Sequence, residues 1–250
     1  MSVLSDNVAI ITGASSGIGW ATAIELAKHN VKVVCAARRK DRLGQIEKDI
    51  VANGGRAIGV HCDVTKREDV FNMVEKARST FGPIDILINN AGVMPLSFMD
   101  RTQVDEWEKT IDVNVKGVLF GVAACLPEMI ERKAGHIVNV SSIAGKRLFP
   151  GSAVYCASKF AVHALSEGLR SELSEHNIRV TCIAPGWVET ELQDHVTDER
   201  ILERWSASKA ESQIKPLDSI DIANAILYAL QSPPVVGVNE VVIRPTRQMM

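Results

Sequence analysis

Seven short aliphatic runs alternating with helical patterns constrain this 250-residue chain more than any other feature. The runs fall at about 7–12, 31–36, 56–64, 84–88, 136–140, 179–183 and 238–244, and Val and Ile dominate them. Between them, apolar residues recur at helical spacing over about 17–28, 41–52, 66–80, 103–130, 154–176 and 218–230. Runs that are apolar throughout suit strands buried on both faces. Strict strand–helix alternation predicts a parallel sheet with right-handed crossovers and helices on both sides. The length suits one such α/β domain over 1–250, and no linker or internal repeat interrupts it. Only the stretch 189–216 breaks the rhythm. It is polar and irregular, with helical fragments at about 199–209, and reads as a substrate lid on a rigid scaffold, the alternative being a surface insertion without a role.

Between the first strand and the first helix lies Thr12-Gly13-Ala14-Ser15-Ser16-Gly17-Ile18-Gly19. A glycine turn in that position lets the backbone approach a pyrophosphate, whose charge meets free N–H groups and the positive end of the helix. The predicted fold is therefore a Rossmann-type doubly wound sheet, with Gly13, Ser15, Ser16, Gly17, Ile18 and Gly19 at the nucleotide. The end of the second strand selects the nucleotide. A carboxylate there would bind a ribose 2′-hydroxyl, whereas this chain has Ala36-Ala37-Arg38-Arg39. Paired guanidiniums offer bidentate bonds to a 2′-phosphate, which favours NADP over NAD. A solvated entry to the next helix is the other use for Arg38 and Arg39.

Tyr155 and Lys159 stand four residues apart in an Ala-containing helical stretch, so they share one helix face. A tyrosine titrates near ~10, and a cation alongside favours the phenolate. The expectation is a Tyr155 with a lowered pKa that exchanges protons with an alcohol or carbonyl oxygen. The same spacing also fits a surface tyrosine beside a solvated lysine.

The composition excludes other classes. Basic and acidic residues nearly balance, 28 against 30, without a basic block suited to nucleic acid. No segment approaches 18 uninterrupted apolar residues, and residues 1–6 lack a signal pattern, so no membrane is expected. Cys35, Cys62, Cys125, Cys156 and Cys182 are odd in number and widely spaced, as in a reduced, cytoplasmic protein. The six histidines are scattered, and no metal-ligand spacing is present.

Seven blocks together resemble the short-chain dehydrogenase/reductase family: T-G-A-S-S-G-I-G (12–19), C-D-V (62–64), N-N-A-G (89–92), N-V-K-G (114–117), V-S-S-I-A-G (140–145), Y-C-A-S-K (155–159) and P-G-W-V-E-T (185–190). The resemblance implies a catalytic tetrad of Asn114, Ser142, Tyr155 and Lys159. Ser142 is the member because it precedes the tyrosine by the family's usual thirteen residues, which leaves Ser141 a structural role. It further implies that Asp63 and Val64 hold the adenine and that Asn90, Ala91 and Gly92 back the cofactor. Pro185, Gly186, Val188 and Thr190 would grip the nicotinamide carboxamide. Lys159 would also bind the nicotinamide ribose, and Asn114 would position a water beside it.

The function so implied is hydride transfer between NADP(H) and the carbonyl or hydroxyl carbon of a small molecule, in a homodimer or homotetramer. A catalytically silent NADP-binding sensor or structural protein on the same fold is the rival. Met94, Leu96, Ile143, Lys146, Arg147, Phe149 and Trp187 fall near the substrate by location alone. The Lys146-Arg147 pair beside the catalytic serine suggests an anionic substrate.

Overall fold

The computed structural model describes residues 3–212 and 214–248. Seven strands form one parallel sheet: β1 Val8–Thr12, β2 Lys32–Ala37, β3 Arg56–His61, β4 Ile86–Asn89, β5 Gly135–Val140, β6 Ile178–Pro185 and β7 Glu240–Ile243. Their spatial order is β3-β2-β1-β4-β5-β6-β7. The chain thus winds outward from β1 to β3, then returns to lay β4 on the other side of β1, with Ala9 opposite Ile86. Connections on the two sides of that junction leave in opposite directions, which opens a crevice at the strands' carboxyl ends.

Helices α1 Gly17–Lys28, α2 Lys40–Ala52 and α3 Arg67–Phe81 alternate with the first strands. After β4 come α4 Val104–Ile111 and α5 Gly117–Arg132, then α6 Ala153–Leu173, α7 Glu199–Ser212 and α8 Ser219–Gln231. All of β1 is buried, and its side chains divide between two cores. Ala9 and Ile11 meet Leu26, Ile46 and Ile226 of α1, α2 and α8. Val8 and Ile10 meet Met73, Val122 and Met129 of α3 and α5. Burial on both faces is why the inner strands read as nearly continuous aliphatic runs, whereas the edge strands β3 and β7 are partly exposed. The span Val104–Arg132 is long and apolar enough to cross a membrane by length and composition. Its Val118, Val122, Cys125 and Met129 are core residues of this domain, which accounts for that apolarity.

Three boundaries differ from the sequence expectation. The helix expected over 103–130 is divided by a π-helical turn, Asp112–Lys116, in which the Gly117 N–H reaches back to the Asp112 carbonyl. The third strand ends at His61, because Asp63 folds into a turn in which its Oδ1 accepts from the Thr65 N–H and hydroxyl at 3.1 and 2.8 Å. The 189–216 stretch is more ordered than its polarity implies, with a short 3₁₀ turn, Glu191–His195, ahead of α7; Gln213 within it lies outside the described residues. Asp218 and Asp221 form a reciprocal capping box that starts α8.

His136 on β5 is buried, with its Nε2 2.8 Å from Thr181 Oγ1. Its Nδ1 has no partner among the described residues. Burial, with Arg179 nearby, pushes its pKa from 6.5 down to about 3. Below pH 6.5 the unfolded chain therefore takes up a proton that the fold refuses, so stability is lost as pH falls toward 3. This amounts to about 2 kcal/mol by pH 5. Denaturant titrations at pH 7 and pH 5 should show that His136→Gln removes about that much of the acid-induced loss.

Candidate active site

One cavity of about 1230 Å³ runs through the crevice and takes in all but two, Gly19 and Asn114, of the catalytic and cofactor-binding residues named from the sequence. At its phosphate-loop end Gly13 turns out of β1 with φ +68°, and a Cβ there would lie 2.8 Å from Ala91 Cα. Only glycine is unstrained in that conformation and that close. Gly19 lies behind the loop, where a Cβ would sit 2.5 Å from Gly13 O and from Asn90 Nδ2. Ser15, Ser16, Gly17 and Ile18 line the cavity, and Ser16 N-caps α1 without a side-chain cap bond. The first-turn N–H groups of α1 are thus left beside the cavity without a capping side chain, as an anionic pyrophosphate requires.

Strands β1 and β4 are tied together directly beneath this loop. The buried Thr12 hydroxyl donates to Ile88 O at 3.4 Å and accepts from the N–H groups of Asn90 and Ala91 at 3.0 and 3.1 Å. Asn90 Nδ2 donates to Thr12 O at 2.9 Å and Gly13 O at 3.3 Å. The Asn90 side chain therefore holds the loop, while Ala91 and Gly92 line the cavity beside it.

At the far end of β2, Arg38 and Arg39 both line the cavity. Arg39 Nε and Nη2 donate to Ser15 Oγ at 3.1 and 2.9 Å, Nη2 also to Ser16 Oγ at 2.7 Å, and Nη1 to Glu191 at 2.7 Å. The Arg39 bond holds the Glu191 carboxyl below its usual range. Asp63 and Val64 flank this end. Burial works to raise the Asp63 pKa, but the Thr65 hydrogen bonds and Arg38 outweigh it and leave it lowered.

The end of the cavity that holds the residues expected to be catalytic is built on α6 and the segment after β5. Tyr155 and Lys159 are each only 6% exposed. The lysine does not sit on the phenol as the spacing suggested: its Nζ donates to Val140 O at 3.0 Å and lies 5.8 Å from the Tyr155 ring centre. Burial pushes the Tyr155 pKa up to about 12, against the pull of a hydrogen bond with Ser142. Burial likewise brings Lys159 down to about 8. The expected lowering of Tyr155 by Lys159 is thus overridden by desolvation, and the phenol holds its proton at neutral pH. Ser142 Oγ accepts from the Ala144 N–H at 3.1 Å and donates to Pro185 O at 3.4 Å, while Ser141 Oγ donates to Lys159 O.

Asn114 occupies the π turn behind this cluster. Its Oδ1 accepts from the Val93 N–H, and its Nδ2 donates to Val93 O, both at 2.9 Å; Nδ2 also donates to Ser158 Oγ at 3.0 Å. A π turn re-aims one side chain without breaking the helix, and here it delivers an amide to both backbone polar groups of the buried Val93. Pro185, Gly186, Val188 and Thr190 line the opposite wall. That wall is braced by Gln248, whose Oε1 accepts from the Trp187 N–H at 2.9 Å.

Of the residues placed near the substrate by location, Met94, Leu96, Ile143, Phe149 and Trp187 line the cavity. Lys146 and Arg147 do not. Lys146 pairs with Glu240 at 2.8 Å, and Arg147 stacks over Phe149 at 5.7 Å. The sequence reading missed Thr12, Glu191 and His195; of these the Glu191 and His195 side chains become part of the site only when the chain after β6 folds back over the crevice.

A doubly wound parallel sheet with a glycine loop at its switch point and a Ser–Tyr–Lys cluster at the other end of the same cavity is the arrangement of a dinucleotide-fold oxidoreductase. The short chain dehydrogenase profile matches residues 7–201, and the chain belongs to that family. An uncharacterized oxidoreductase of Staphylococcus saprophyticus is 46% identical over 100% of both chains. Among solved structures, the closed form of a serine dehydrogenase complexed with NADP+ superposes with a TM-score of 0.88 at 30% identity, covering 97% of this chain and 96% of that one. An alcohol dehydrogenase from the archaeon Thermococcus sibiricus, complexed with 5-hydroxy-NADP, gives 0.86 at 28% identity and 98% coverage of each.

Replacing Asn114 by alanine leaves the buried N–H and C=O of Val93 without partners. The expected cost is about 2–4 kcal/mol of folding stability, read as a lowered denaturant midpoint. A midpoint unchanged from the parent protein would show that the clasp carries no weight.

Proposed function

We propose that the chain is an NADP-dependent oxidoreductase that transfers a hydride to or from the carbonyl or hydroxyl carbon of a small molecule. Aldehydes, ketones, secondary alcohols and short hydroxy acids are the substrate types, and Tyr155 is the general acid and base. The observation that carries this reading is the single cavity joining the glycine loop and Arg38-Arg39 at one end to Ser142, Tyr155 and Lys159 at the other. NADP is favoured by the two arginines after β2, where no carboxylate stands, and by the NADP complexes among the similar structures.

When bound, the nicotinamide supplies the hydride. Ser142 and Tyr155 hydroxyls orient the carbonyl oxygen and stabilise its developing charge. Tyr155, kept protonated by burial, donates its proton to that oxygen. Lys159 keeps a positive centre within the same buried volume, and Asn114 secures the Val93 backbone beside it. Proton resupply through a water near Lys159 follows the family pattern.

A silent NADP-binding protein on this fold is the competing reading. The intact Asn114, Ser142, Tyr155 and Lys159 set argues against it. Self-association as a homodimer or homotetramer is supported by exposed Val104, Ile111 and Leu119 along α4 and α5, and by Phe160 on α6. Five free, buried thiols fit a reducing, cytoplasmic setting.

Tyr155→Phe should lower kcat for carbonyl reduction about a thousandfold while NADPH binding persists by fluorescence titration. Full activity in that variant would sink the acid–base role. Arg38→Asp should shift the NADPH/NADH ratio of kcat/KM toward NADH by tenfold or about a hundredfold. An unchanged ratio would remove the arginine pair from cofactor selection.

A further inference from the structure

The walls around Tyr155 are apolar. Leu96, Ala144, Tyr155, Cys156, Val196 and Ile201 form one cluster, with Met94, Phe98 and Trp205 packed against it. Most charged residues of the cavity sit elsewhere. Arg38, Arg39, Asp63 and Glu191 gather at the end of β2, and Lys159 is already committed to Val140 O. Arg204 and Arg247 remain at the catalytic end, both exposed, and Arg204 lies over the Phe98 ring at 5.7 Å. Lys146, the cation nearest in sequence to Ser142, is engaged by Glu240. Among the described residues, therefore, no buried cation at this end is free to meet a carboxylate, and an unpaired buried carboxylate is costly.

One polar side chain from the covering segment does enter this lining. His195 closes the 3₁₀ turn and reaches across the crevice, where its Nδ1 accepts from the Met94 N–H at 3.4 Å. Burial first, then Lys109 and Arg38, holds its pKa below the ordinary value, so the ring is neutral at pH 7. With Nδ1 accepting, the ring proton resides on Nε2, and Nε2 makes no hydrogen bond among the described residues.

Resting on the function proposed above, we infer that the substrate is an uncharged carbonyl compound with an apolar body and a remote hydrogen-bond acceptor, to which His195 Nε2–H donates. His195 is then a specificity-determining residue for the reaction. The short hydroxy acids admitted above are disfavoured, and the anionic substrate suggested by Lys146 and Arg147 is replaced by a neutral one.

The test uses the full chain with NADPH and three aldehydes: benzaldehyde, methyl 4-formylbenzoate and 4-formylbenzoate. The ester and the carboxylate share a body and differ in charge. The ester should exceed the carboxylate in kcat/KM by about a hundredfold. Equal values, or a preference for the carboxylate, would overturn the inference while leaving the oxidoreductase reading intact. A carboxylate preference that disappears in Arg204→Ala would identify the cation responsible. Failure to oxidise NADPH with these three and with a broad panel of aldehydes and ketones, despite measured NADPH binding, would overturn the reading and the inference together.

His195→Phe should lower the ester/benzaldehyde ratio of kcat/KM about tenfold. His195→Gln, which keeps an N–H donor, should restore most of it. Thermal unfolding of both variants separates this effect from misfolding. An unchanged ratio in a folded His195→Phe removes His195 from substrate recognition.

Discussion

The glycine-loop end of the cavity hangs on the junction of β1 and β4. A parallel sheet that winds both ways from one strand must splay its connections there, and the splayed ends would otherwise leave backbone groups facing an open crevice. Thr12 resolves the problem with one hydroxyl, which uses its donor on Ile88 and both acceptor sites on Asn90 and Ala91. The Asn90 amide then returns two donations to Thr12 and Gly13. These bonds fix the glycine loop against β4 without any ligand. The cavity's phosphate-loop end is therefore pre-organised, and ordering it on binding costs little.

Burial sets the chemistry at the other end. Tyr155 and Lys159 are driven in opposite directions by the same loss of solvent, the phenol upward and the ammonium downward. A phenol that keeps its proton is suited to donate it, as the proposed reduction of a carbonyl requires. The Asn114 clasp matters to this arrangement because it ties the Val93 peptide to Ser158, and Ser158 Oγ in turn donates to Tyr155 O at 2.7 Å. The loop after β4 and the Tyr155 helix are thereby coupled through one amide.

The sheet was legible in the sequence because burial on both faces of its inner strands writes itself as nearly continuous Val and Ile runs. The loop was legible because its glycines are required by φ and close approach, as at Gly13 and Gly19. The π turn at Asn114 was not, since one extra residue in a helical turn leaves the apolar period of 103–130 almost unchanged. Neither was the aim of Lys146 and Arg147. Adjacency to Ser142 in the chain placed them at the substrate, but their partners, Glu240 on the last strand and the Phe149 ring, draw them away. Glu191 and His195 escaped notice for the same physical reason. Their roles arise from a fold-back of the chain, and no local pattern records where a polar segment will land.

That fold-back raises a question of competition at Arg39. In this structure the guanidinium spans Ser15, Ser16 and Glu191, and the Glu191 pair is solvent-exposed, with side chains 43% and 45% accessible. An exposed pair of this kind is worth roughly 0–1 kcal/mol. A bidentate, charge-assisted bond to a phosphate contributes roughly 1.5–3 kcal/mol. The proposed 2′-phosphate therefore wins Arg39 from Glu191, or shares it, with little loss. Because Glu191 begins the turn that ends at His195, the same arginine would link the proposed nucleotide recognition at one end of the cavity to the segment proposed to meet the substrate at the other.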